Sequence, residues 1–216
     1  MAEAGLSAEK VVEGGVRLAR DKGLSSVGVR ALAAELGVTP MALYRHVASG
    51  EALSDAVVQA LLRDLPLVGV NGAPLGRLRA WAVSAREVLR SCPGLAHHLL
   101  LHWFELPRTL QVVESMLAAA EDLGLTGFSA VAAGNAVFTY VLMRVELEEA
   151  LREGNVLQRR LPALRGLPRL ARNAAEYRVA RIDAHFEFGL TLLLEGLERT
   201  RLSENLQRVE RGERKR

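Results

Sequence analysis

Thr39, Met41, Ala42, Tyr44, Arg45 and His46 fall within eight residues of one another. With Pro40 they would stand at the N-terminal end or on the outer face of one short helix, free to touch DNA. A recognition helix needs this arrangement, because a helix just fits the major groove and its N-terminal residues reach base edges. A second constellation is His98 and His102, four apart, so that both could face one metal ion, with His97, Glu105 and His185 as further ligands. Metal sites want three or four converging ligands with outer partners, and two histidines in a Leu-rich segment are more often half-buried, hydrogen-bonded side chains. No metal site and no cofactor are expected. A third group, Trp81, Arg86, Trp103, Phe104, Phe128, Asn135 and Phe138, mixes large aromatics with isolated polar groups. Together with His98 and His102 it has the composition of a small-molecule cavity, although for each member alone core or dimer-interface packing is the favoured reading.

The elements that must position these side chains are helical. Val29, Leu32, Ala33 and Leu36 recur at i, i+3, i+4, i+7, which gathers them on one helical face, and Gly37 supplies the positive φ that ends the helix. Thr39 then caps a second helix whose first residue is Pro40, where the missing N–H has no partner to lose. Leu43 and Val47 return to the core with Val38. Spacing alone leaves a plain helical corner open, since it uses the same glycine turn. A helix before the motif would start at Ser7 as N-cap, with Glu9 in its first turn and Leu6 stapled on Val11, and end at Gly23. Its apolar positions Val11, Val12, Val16, Leu18 and Ala19 form the third wall of a small three-helix domain. A fourth helix, from about Ser49 to Leu65, carries Leu53, Ala56, Val57, Ala60 and Leu61 and is stopped by Pro66.

Past Pro66 a linker leads to a helix from Pro74 to about Arg90, broken by Pro93 and Gly94. A short apolar segment with His97, His98, His102, Trp103 and Phe104 follows, then a helix from Pro107 to Leu123 closed by Gly124. Two long helices, about Gly127–Glu153 and about Ala184–Arg201 behind Asp183 as N-cap, dominate the remainder. The first is apolar nearly all round as far as Arg144, and such a helix must be covered on every side. Two such elements from two chains make a four-helix bundle, so a homodimer is expected. Residues 154–174 read as a mobile loop with a short helix. The stretch from Ser203 to Arg216, with five Arg or Lys, three Glu and no apolar stripe, reads as a solvated tail.

Half of the 216 residues are hydrophobic and few are aromatic, which suits a helical protein with an ample core. The formal charge of +3 permits nucleic-acid binding without demonstrating it. Residues 1–48 hold six Lys or Arg against five Asp or Glu, so the case for DNA rests on the motif and not on charge. Cys92 is the single cysteine, so no internal disulfide forms and no oxidising compartment is implied. The N-terminus lacks a secretion pattern, and the most apolar run, Phe128 to Met143, is shorter than the ~20 residues of a membrane span. A cytoplasmic protein without membrane contact is expected. No catalytic triad, no Gly-rich loop after a strand and no strand-like stretch stands out, so an enzyme is not expected.

The words around the motif sharpen this. Ala31-Leu-Ala-Ala-Glu-Leu-Gly-Val, Leu43-Tyr-Arg-His-Val and Glu51-Ala-Leu resemble the DNA-binding domain of the tetracycline-repressor (TetR) family over about Leu6 to Asp64. Phe186-Glu-Phe-Gly-Leu-Thr-Leu-Leu-Leu-Glu-Gly-Leu looks like the last helix of the branch closest to the tetracycline repressor. The resemblance implies an all-α fold, with a helix-turn-helix domain over 1–48, a connecting helix over 49–66, a ligand-binding and dimerisation domain over 67–202, and the charged tail over 203–216. It implies a repressor that binds a pseudo-palindromic operator and is released by a small-molecule effector. By residue matching, Arg30, Tyr44 and His46 fall where the family contacts phosphate, and Thr39, Met41 and Ala42 where it reads bases. Gly28 and Gly50 depart from the pattern: a Thr usually caps the motif's first helix at the former, and a Lys touches phosphate at the latter. A helical ligand-binding or protein-interaction module without specific DNA binding is the alternative.

Overall fold

A computed structural model of the chain describes residues 6–154, 166–177 and 182–210, with the side chains of 6–152, 166–176 and 182–203. Every regular element among them is helical: α1 (Ala8–Lys22), α2 (Val29–Leu36), α3 (Pro40–Leu43), α4 (Gly50–Leu62), α5 (Pro74–Arg90), α6 (Leu95–His102), α7 (Pro107–Asp122), α8 (Phe128–Gly154), α9 (Pro168–Asn173) and α10 (Ile182–Glu210). Short 3₁₀ turns cover Leu24–Ser26, Trp103–Glu105 and Ala174–Tyr177. The all-α fold read from the sequence is the fold of the chain.

The helices fall into two compact units, residues 1–68 with 83–115, and residues 69–82 with 116–216. In the first unit the Ser7 hydroxyl caps α1 by accepting from the Lys10 N–H at 3.2 Å, and Gly23, at φ 87°, ends the helix. Val11, Leu18 and Ala19 of α1, Leu32 and Ala33 of α2, Leu43 of α3, and Leu53, Val57 and Leu61 of α4 are buried, each large one contributing ~1.5–3 kcal/mol of apolar transfer. Two glycines let α1 approach its neighbours closely. A Cβ at Gly14 would touch Leu36 and Leu32, and one at Gly15 would overlap the Val57 side chain of α4. The Ser49 hydroxyl caps α4 by accepting from the Ala52 N–H at 3.0 Å.

This unit reaches beyond the three-helix domain expected over 1–48, because hydrogen bonds to backbone groups tie later segments to it. The Leu24 N–H donates to the Pro93 carbonyl at 2.8 Å, and the Cys92 thiol donates to the Ala19 carbonyl at 3.5 Å. Arg108 of α7 donates twice to the Leu65 carbonyl, at 3.0 and 2.7 Å, and the Ser115 hydroxyl accepts from the Val68 N–H at 3.0 Å. The chain just past α4 is thereby clamped to α7.

In the second unit Arg77 of α5 is the anchor, donating to the carbonyls of Gly69 and Val70 and to Asp122 at 2.6 Å. Arg79 reaches Glu187 and Thr191 on α10 at 2.7 and 2.5 Å. The helices α8 and α10 pack on each other, and Val137, Val141 and Val145 of the first and Phe186 and Leu190 of the second are buried. The Tyr140 hydroxyl donates to the Phe186 carbonyl at 2.8 Å, and Gly189 leaves room for that phenol, since a Cβ there would overlap it.

Three expectations change at this end. The last helix starts at Ile182, which places Asp183 in its first turn and not at the cap, and it continues to Glu210 through much of the supposed tail. Charged residues such as those after Ser203 are good helix formers, so an established helix propagates through them without an apolar stripe. Of the expected mobile loop, residues 155–165 lie outside the described residues, as do 211–216 of the tail. Finally, α8 is long and apolar enough over Phe128–Arg152 to cross a membrane by length and composition, unlike the shorter run first considered, and 44% of its most apolar window is buried inside the protein.

Gly15→Ala tests the close packing of α1 on α4. Alanine raises helix propensity by up to ~1 kcal/mol, but the forced shift of Val57 costs ~1–3 kcal/mol. A net loss of about 1–2 kcal/mol is expected in urea unfolding, with a smaller loss for Gly14→Ala, where the neighbours are flexible leucine tips.

Candidate nucleic-acid interface

Gly37 sits in the left-handed region, φ 64° and ψ 33°, where a side chain would be strained. Its N–H and that of Val38 close the end of α2 on the Ala34 and Ala33 carbonyls at 3.3 and 3.0 Å. Two residues later the Thr39 hydroxyl accepts from the Ala42 N–H at 3.2 Å, and Pro40 opens α3. That helix is a single turn of four residues, prolonged by the Tyr44 N–H donating to the Pro40 carbonyl at 3.3 Å and the His46 N–H donating to the Leu43 carbonyl at 2.8 Å. Leu43, fully buried, holds the turn against the core.

The outward surface follows from that register. Met41 is 73% exposed and Tyr44 50% exposed, and Arg30, Thr39, Pro40 and Arg45 are exposed as well. His46 is half-buried. Ala42 differs from its expected place on the outer face: it is only 4% exposed, because at 100° per residue Ala42 and Leu43 share the inward side of so short a helix. Gly28 caps α2 without a side-chain hydrogen bond, in extended geometry with nothing within 4 Å of a hypothetical Cβ, so a capping threonine would fit.

The cavity-type residues are divided between the two units and form local groups within each. In the second unit Trp81 and Phe138 stack with ring centroids 5.9 Å apart and both are buried, whereas Phe128 is 87% exposed and Asn135 is exposed. In the first unit Arg86 is buried, and Trp103 and Phe104 touch at 4.3 Å. The His98 and His102 rings lie 4.7 Å apart, and His102 Nδ1 donates to Glu105 at 3.1 Å. Burial, then the neighbouring His102 and the smaller effect of His97, push the His98 imidazole below its ordinary pKa, with Asp55 of α4 and Glu105 opposing. No group of three metal-ligating side chains converges among the described residues, and His185 Nε2 donates to the Glu176 carbonyl at 2.6 Å. Sequence reading missed Leu24, Arg108 and Ser115, whose partners are backbone groups distant in sequence. Such bonds leave no periodic signal.

Comparison with known proteins covers nearly all of this architecture. Residues 11–57 match the model of bacterial regulatory proteins of the tetR family, and residues 75–201 match the tetracyclin repressor-like C-terminal domain. The tetracycline repressor protein class A from transposon 1721 of Escherichia coli is 29% identical over 203 residues, which is 91% of this chain and 93% of that protein. The HTH-type transcriptional repressor DrrR1 of Streptomyces coeruleorubidus is 27% identical over 89% of this chain and 77% of its own length. Among solved structures, apo ActR from Streptomyces coelicolor shares the fold at a TM-score of 0.74 and 21% identity, covering 92% of this chain and 98% of its own. A TetR variant from Acinetobacter baumannii in complex with minocycline is 27% identical with a TM-score of 0.64, covering 91% and 98%.

The His98 environment carries a pH signature. Its folded pKa lies below the unfolded value of about 6.5, so the folded state binds fewer protons and is favoured above that pH, and the advantage is lost as pH falls through the lower folded value. Thermal midpoints measured between about pH 7.5 and 5 should fall less steeply for His98→Asn than for the parent chain. Parallel curves would assign the pH dependence to other groups.

Proposed function

The chain belongs to the tetracycline-repressor family of bacterial transcriptional regulators, and from that membership and the geometry above we propose how it works. It is a DNA-binding transcriptional regulator. We assign it the role of a repressor: the α2–α3 unit docks in the major groove, and a small molecule bound in the C-terminal domain releases it. The observation that carries this reading is the outward row Thr39, Pro40, Met41, Tyr44 and Arg45, held by the left-handed Gly37 turn and the Thr39 cap. Thr39 and Met41 read bases in this assignment. Tyr44, Arg45, Arg30 and His46 position the protein on phosphates. The family is one of regulators and not of enzymes, and no catalytic role is assigned.

The functional division follows the boundaries read from sequence: 1–48 for DNA, 49–66 as connector, and 67–202 for ligand and dimer. The homodimer forms through α8 and α10, whose apolar side chains Val131, Met143, Leu147, Phe188 and Leu192 are exposed in the single chain. A second copy covers them, which accounts for the apolar length of α8 in a cytoplasmic protein. The effector is an apolar or amphipathic small molecule bordering the Trp81–Phe138 stack. Its binding moves α4, whose buried Leu53 and Val57 carry the DNA-binding helices, and so changes the spacing of the two reading turns of the dimer.

Two measurements test this. Footprinting should find a pseudo-palindrome with half-sites one helical turn, about 34–36 Å, or a larger dimer-set distance apart, bound with an affinity that falls steeply with salt. Tyr44→Ala should weaken all sequences alike, by about 1.5 kcal/mol per lost phosphate contact, and an asymmetric single half-site would rule out the dimer. Secondly, calorimetric titration of a bound effector should give an affinity about 5–150-fold lower with operator present, the same factor by which the effector weakens DNA binding. Identical affinities would exclude release by coupling.

A further inference from the structure

The turn assigned to DNA reading is defined by what it lacks. Its exposed side chains at the N-terminal end of α3, Thr39, Pro40 and Met41, hold no amide, carboxylate or guanidinium. The Thr39 hydroxyl already accepts the Ala42 N–H, which leaves its one O–H to donate. Pro40 has no N–H, and Ala42 is buried. Met41 alone of these extends a long side chain, and it leaves 73% of its surface in water on the face assigned to DNA.

A thioether cannot satisfy the polar edges of most base pairs. Guanine shows two acceptors in the major groove, cytosine an amino donor, and adenine a donor and an acceptor, whereas thymine adds a C5-methyl group to its one acceptor. Pressing Met41 against a G·C pair strips water from groups it cannot bond, and an unsatisfied polar group costs more than the contact returns. Against a thymine methyl, both partners lose water that neither was using.

We propose that this chain reads its operator through thymine C5-methyl groups, with Met41 as the residue that determines specificity at the contacted position in each half-site. Thymine is selected there for its methyl group and not for hydrogen bonding. The rival is guanine reading by Arg45, which is exposed but lies past the last residue of α3, in the turn that leads to Val47. This inference rests on the regulator reading above, and the experiment separates the two.

Duplexes selected from a genomic library by the full-length protein would be resynthesised with each thymine replaced by deoxyuridine, which removes only the methyl group. Affinities would be measured by fluorescence anisotropy at one salt concentration. One position per half-site should weaken about fourfold, the worth of one buried methyl group, and both half-sites together about fifteenfold. Placing cytosine at that position should weaken binding, and 5-methylcytosine should restore part of the loss. In Met41→Ala the deoxyuridine penalty at that position should vanish, while Tyr44→Ala should keep it. Deoxyuridine effects that stay within twofold everywhere, or a penalty that persists in Met41→Ala, overturn the proposal even though an operator is bound. Selection of no duplex above random DNA overturns the regulator reading and this proposal with it.

Discussion

The close contact of α1 with α4 governs the DNA-binding half of the molecule. Gly15 has no Cβ, so the fully buried Val57 fills the space one would take. That contact sets the approach of α4, and α4 in turn bounds both ends of the machinery. Its Ser49 cap follows directly on the turn after α3, and the segment that leaves its other end is held by Arg108 and Ser115. A glycine in mid-helix costs ~1 kcal/mol in propensity. Here the cost is offset by close-packed apolar surface between two helices that would otherwise stand a methyl group farther apart.

The helix assigned to DNA reading, α3, has very little local structure of its own. A single turn of four residues has no independent stability in water, since helix nucleation fixes several residues for one hydrogen bond. Its conformation is imposed from outside: a left-handed glycine before it, a threonine cap, a proline with preset φ, and Leu43 locked into the core. Every inward position is then spent on holding the turn. The side chains left outward are few, and their chemistry weighs correspondingly more in what the surface can recognise.

The two units also differ in how completely a single chain satisfies them. Charged tethers such as Arg77–Asp122 and Arg79–Glu187 organise the second unit internally, yet Phe128 and Phe188 on its two longest helices stay in water. Exposed large apolar groups along two neighbouring helices are the usual mark of a surface that another molecule covers. The half-buried His98, stacked near His102, is a different kind of feature: burial and its histidine neighbour disfavour its charged form, with Asp55 of α4 opposing.

The sequence by itself determined the helical class, the glycine turn, the Ser7 and Thr39 caps and most helix boundaries, because these depend on the types and spacing of adjacent residues. It also determined which face of α3 holds Leu43. What tertiary structure decided lies beyond local rules. Ala42 turned inward because α3 is too short to offer a full outer face, and α10 ran on to Glu210 because an established helix propagates through good helix formers without needing an apolar stripe. Segment 83–115 joined the first unit through carbonyls such as those of Ala19 and Leu65, which every residue carries and no side-chain pattern announces. The purpose of Gly15 is visible only once Val57 stands opposite it, since the absence of a side chain has no meaning until the neighbour that fills the space is known.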